Sequence, residues 1–139
     1  MFIDDLVTLL QVGGCGTFGT TIFSGPKASI PGPGAGAFLT LRETGGSKPD
    51  IIQNTPLLPG YVKPSAQIVA RSDDVKEARD LIQLAYGVLF PVRNQFVNGT
   101  WWVWIMMVQE PFDLGEDEDG RPRFAFNIDC YKRLSPATS

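Results

Sequence analysis

The chain has 139 residues, 43% of them hydrophobic and 19% charged, which supplies apolar mass for one compact core and excludes a generally disordered tail. Twelve Lys and Arg against 15 Asp and Glu leave a formal charge of −3 and a pI near 4.8, so a module gripping free nucleic acid through a basic stripe is disfavoured. Histidine is absent, which removes the commonest general base and metal ligand and handicaps any hydrolase or zinc reading.

In chain order, Phe2, Leu6, Leu9 and Leu10 recur at helical spacing, with Asp4 and Asp5 where an N-terminal dipole favours acid, and this predicts a helix over 2–12. The acid at this start is the wrong charge for a secretory signal, and no apolar run approaches the ~20 residues of a membrane span. The expectation is a soluble protein made in the cytoplasm, without membrane contact. Gly13-Gly14 ends the helix, and Thr17 to Phe23 has the β-branched and aromatic content of a strand. Eleven of the 15 glycines and seven of the 11 prolines fall in residues 1–64, which makes the first half loop-rich. Residues 25–36 read as a surface loop, 37–42 as a second strand stopped by Gly45-Gly46, and 45–64 as a long irregular stretch before a third strand at 66–71.

The clearest helix follows Ser72-Asp73-Asp74, with Val75, Ala78, Leu81, Ile82, Ala85, Val88 and Leu89 on one stripe, Asp74 and Glu77 at capping-box spacing, and Pro91 as the stop. Asn98-Gly99 offers a type I′ turn into an apolar strand from Thr100 to Gln109. A loop over 111–122 leads to a last strand, 123–133, whose alternation marks one buried face. The order α-β-β-β-α-β-β predicts a single α+β domain over 1–139, a largely antiparallel sheet with two helices packed on one side.

Few motifs carry chemistry. Cys15 and Cys130 form no C-x-x-C pair, so reduced thiols are expected and neither a disulfide framework nor a thiolate cage is indicated. Gly14-Cys15-Gly16-Thr17-Phe18-Gly19 has the letters of a dinucleotide fingerprint in the wrong context, with a helix before it and a strand after. We read it as a connection. Asp113, Glu116, Asp117, Glu118 and Asp119 lack the glutamate that completes a calcium loop and the apolar pocket that separates the pKa values of a glycosidase pair, and they read as a solvated acidic turn. Trp101, Trp102, Trp104 and Met106 lie in a strand apolar on both faces. One face can fill the core, while the other needs a cover from within the chain or from another subunit.

The segments Gln67–Arg71, Val92–Trp102, Gln109–Gly115 and Gly120–Asn127 resemble the tail-terminator or small minor capsid proteins of long-tailed bacteriophages of the siphophage type, a likeness spanning roughly Phe38 to Arg133. The resemblance implies a non-enzymatic virion protein with no cofactor. In that family, subunits form a ring, usually a hexamer, on the last ring of the tail tube, stop its growth and present the surface that joins the filled head. The implied partners are further copies of the chain, the tail tube protein and a head-completion or connector protein, with transient contact with passing DNA. The implied location is the head–tail junction, after assembly in the host bacterial cytoplasm. On this reading Trp101, Trp102, Trp104 and Met106 are core or lateral contact, the three long loops are axial contacts, and the acids from Asp113 to Asp119 form an axial or lumen loop that repels DNA. A head-side neck adaptor is the competing structural reading. A small-ligand, metal-binding or enzymatic module, supported by the glycine run and the acidic cluster, is the third.

Overall fold

The computed structural model describes residues 2–24, 30–32, 34, 36–50 and 61–133, with the side chains at 46–50, 61, 62 and 133 left aside. Two helices, α1 (Phe2–Val12) and α2 (Val75–Leu89), accompany seven strands: β1 (Ile22–Ser24), β2 (Phe38–Asp50), β3 (Tyr61–Arg71), β4 (Arg93–Val97), β5 (Thr100–Met107), β6 (Phe112–Glu116) and β7 (Pro122–Arg133). They form one sheet in the order β1-β2-β3-β7-β5-β4, with β6 also paired to β7. Every pairing is antiparallel except β1 with β2. The α+β class, the mainly antiparallel sheet and both helices are as the sequence predicts.

Helical periodicity dictates the helix layer. Ile82, Ala85 and Leu89 of α2 and Phe2, Leu6 and Leu10 of α1 are buried in the same core cluster as Leu39, Leu41, Ala66, Ile68, Ala70, Phe126, Ile128 and Cys130 of the sheet, and Ala78 of α2 is buried as well. These sheet residues fall on one face because β3, β7 and β2 are in matched register, with Leu41 opposite Ile68 and Ile68 opposite Phe126. Asp74 caps α2 by accepting from Lys76 N at 3.0 Å, and its own N–H donates to Ser72 Oγ at 3.2 Å. Ser72 thus fills the place expected of Glu77 in a capping box.

Four boundaries differ from the sequence reading. Thr17 to Thr21 forms a hydrogen-bonded turn, so the first strand is only Ile22–Ser24. Gly45, at φ +99°, does not end β2 but sits in a β-bulge beyond Glu43, and β2 runs on to Asp50. Strand β3 begins at Tyr61 rather than Ala66. Pro64 pairs with Gly46 of β2, while the ladder to β7 skips Lys63 and Pro64, as a residue without an N–H requires. The stretch read as 45–64 is therefore strand at both ends, and its middle, 51–60, lies outside the described residues, as do 25–29, 33 and 35 of the first loop. Two short strands, β4 and β6, are additional: β4 completes the hairpin at Asn98-Gly99, and β6 occupies the start of the 111–122 loop.

Candidate assembly surfaces

Apolar strand β5 is where the sheet divides its surface. Trp102 is opposite Lys132 and Trp104 is opposite Tyr131, so Val103 is an extra residue that bulges the strand. The bulge turns two tryptophans of like spacing to opposite faces. Trp102 is fully buried under α1, stacked on Phe2 at 5.8 Å, with its indole Nε1 donating to Asp5 Oδ2 at 3.1 Å. Asp5 also accepts from Asn98 Nδ2 at 3.0 Å, which ties the first turns of α1 to the β4–β5 hairpin. Asp5 thus serves the core, beyond the dipole role its sequence position suggests, and no sequence signal marks this because its partners are more than 90 residues away.

Trp104 stands on the opposite, helix-free face. It meets Tyr131 edge-on at 4.7 Å, and Lys63 lies over the same tyrosine ring at 5.7 Å. Trp101 meets Phe96 of β4 at 4.8 Å. Phe96 is 66% exposed, and Met106 and Val108 are each 54% exposed. Together these side chains make an aromatic and aliphatic strip beside the β4 edge. Of the four residues singled out in this strand, Trp102 is core, Trp101 and Trp104 are half-buried, and Met106 is exposed.

A second apolar site flanks β1, the opposite edge strand. Helix α1 runs from the β4–β5 hairpin, held by Asp5, to Gly13, which packs on α2 at Val88. A Cβ at Gly13 would lie 2.5 Å from Val88 Cγ2, so close approach requires glycine here. Val12 at the end of α1 is 84% exposed, and Phe18, which bridges to Ile22 of β1 and whose N–H donates to Gln11 Oε1 at 2.8 Å, is 52% exposed.

The acidic turn lies at the β6–β7 hairpin. Asp113 Oδ1 accepts from Gly115 N at 2.7 Å, and Glu116, Glu118 and Asp119 are exposed. Asp117 departs from the solvated turn expected of it. Its buried carboxylate accepts from Arg121 Nε at 2.9 Å, Arg71 Nη1 at 3.0 Å, and the backbone N–H groups of Asp119 and Arg121. Burial pushes the Asp117 carboxyl up, but these hydrogen bonds and the Arg121 charge outweigh it and hold the group below its ordinary value. A cleft of about 390 Å³ here is lined by Ile30, three arginines and Glu116 to Asp119, so opposite charges largely meet within it. Among the described residues, no group of three or more Cys, Asp or Glu is arranged to hold a metal ion. Gly14, Gly16 and Gly19 all have positive φ and lie between a helix and a turn, without the strand-to-helix geometry of a phosphate cradle. No helix is long and apolar enough to cross a membrane among the described residues.

The family model for bacteriophage tail terminator proteins matches residues 9–132, and the chain belongs to that family of structural phage tail proteins. Among solved structures, a chain from the virion of a native gene transfer agent particle is similar in fold, at 13% identity and a TM-score of 0.56, covering 93% of this chain and 84% of that one. Another solved chain is 13% identical over 96% of both chains, with a TM-score of 0.49. No match was found among curated proteins.

Proposed function

We propose that this chain caps the tail tube as a closed ring, a hexamer as the family resemblance implies, stops tube growth and provides the surface to which the head is joined. The observation that carries the reading is that apolar side chains are exposed toward both edges of one sheet: Phe96, Trp101, Trp104 and Met106 on β4 and β5, and Phe18 beside β1, with Val12 at the end of α1. A ring is built by head-to-tail contacts between two different patches of each subunit, and two such patches on opposite edges suit that geometry. The described parts of the 25–36 loop and the turn from Asp113 to Asp119 serve as axial contacts. Glu116, Glu118 and Asp119, exposed and acidic, suit a surface past which DNA slides without sticking.

The test mixes purified chain with tail tubes and scores capped ends and tube length by electron microscopy. Wild-type chain caps the tubes at their head-proximal end and halts extension. Trp104→Asp and Phe96→Asp, which place charge in a contact that must desolvate, fold normally and lose ring formation at least tenfold. Normal rings from both variants would remove the lateral assignment, and binding to purified heads but not to tails would favour a neck adaptor on the head side.

A further inference from the structure

The turn from Glu116 to Arg121 and residues 30–32 are separated by more than 80 residues in sequence, yet one side chain joins them. Arg121 is buried, with Nε on Asp117 Oδ2 and Nη1 donating to the Pro31 carbonyl at 2.9 Å. The same Asp117 oxygen holds Arg71 of β3, and both guanidinium groups lie over the ring of Phe38, at 5.3 Å for Arg121 and 5.7 Å for Arg71. Phe38 is only 1% exposed although it points away from the helix layer, because the two arginines and Phe23, edge-on at 5.7 Å, cover it. A separate tether fixes Gly34, whose N–H donates to Asp73 Oδ2 at 2.6 Å.

We infer that Asp117 is the hub of a releasable strap: its charge gathers Arg71 and Arg121, and Arg121 in turn holds the backbone at Pro31 across the Phe38 side of the sheet. The geometry makes this one unit rather than two loops, since the carboxylate nearest buried Arg121, Asp117 at 2.9 Å, also closes the hairpin through the Arg121 and Asp119 N–H groups. Asp119 stands at 3.5 Å and is half exposed, a weaker second contact. The clasp is not saturated: Arg71 Nε is buried without a hydrogen-bond partner among the described residues, so charge at Asp117 rather than a complete network keeps it shut. A protein that engages the exposed acids at Glu116, Glu118 and Asp119 therefore shifts residues 30–32 as well, and opening the strap bares Phe38. The inference holds whether or not the chain caps tails.

Hydrogen exchange of the full chain at neutral pH tests it, comparing wild type with Asp117→Asn. Peptides covering 30–42 and 113–121 should both exchange at least tenfold faster in the variant, while α2 and β5 keep wild-type protection. Unchanged exchange over 30–42 would overturn the strap. Should Asp117→Asn lose protection in α2 as well, Arg121→Lys gives the decision. It keeps the positive charge but cannot reach Asp117 and Pro31 together, so 30–32 should loosen tenfold, and wild-type exchange there would equally overturn the inference. Asp73→Ala cuts only the Gly34 tether and should leave 113–121 protected; loosening of that turn would show that Asp117 is not the hub.

Discussion

Trp102 and Trp104 show what a single inserted residue does. Both are tryptophans in one apolar strand, and simple alternation would set them on the same face, yet the bulge at Val103 buries one under α1 and leaves the other beside Tyr131. The sequence shows that the strand is apolar on both sides. It does not show the bulge, because an extra residue in a ladder depends on the register of β7 across the sheet. Trp102→Asp should therefore prevent folding, since it removes the stack on Phe2 and sets a carboxylate beside buried Asp5, at a cost of roughly 4 kcal/mol or more against the marginal stability of a small domain. Cooperative thermal unfolding at the wild-type temperature would contradict this placement. The two cysteines give a second prediction at this scale. Burial pushes the Cys15 thiol up to about 11, and it raises Cys130 further, with Asp129 adding to the effect and Lys132 opposing it. Both thiols should be protonated and nearly inert to a thiol reagent at pH 8 in the native state, and two should react at once in denaturant. Rapid reaction of the native chain would contradict the burial.

Among the elements, those with a long period were legible and those held by a neighbour were not. Helices α1 and α2 declare themselves by apolar stripes, with the Asp74 cap and the Gly13 stop at their ends. The edge strand β4 has a mostly exposed pattern and no strong alternation of its own. It exists because Asn98 and Gly99, at φ +51° and +81°, fold it back onto β5 in the turn that the sequence announces. Strand β6 is similarly short and gains its order from β7 and from Arg123, which donates to the carbonyls of Leu114, Gly115 and Glu116. The acidic turn was legible as acid and as turn, but the buried pairing of Asp117 depends on Arg71, 46 residues away. That pairing sets a pH dependence. The folded-state pKa of Asp117 is depressed below its unfolded value of about 4, so its contribution to stability is complete above that pH and is lost as pH falls through the folded value. The groups facing it are Arg71 from β3 and Arg121, Asp119, Glu116, Glu118 and Arg123 from the turn and β7. Wild type should lose stability relative to Asp117→Asn on titration from pH 5 to pH 2, measured by denaturant midpoints. A constant difference across that range would show that the carboxylate is not held in its charged form.

At the scale of the whole molecule, the design is a sheet with one face closed by helices and the other left to aromatic side chains at one end and to an ionic strap at the other. The family match makes this chain a structural tail protein. What composition could not reveal is which apolar residues stay exposed and where: Phe96 and Met106 lie on β4 and β5, Phe18 lies in the turn before β1, and Val75 and Leu84 lie along α2 with Phe90 at its end, an arrangement set only by the path of the helices and the strand order. That arrangement suits neighbour-to-neighbour contact around a closed ring. Electron microscopy of tails labelled at this chain is the most direct test: the account predicts one ring of label at the head-proximal end of every finished tube, with the β4 edge of each subunit against the β1 edge of the next. Label along the tube, at its far end or on the head alone would contradict it.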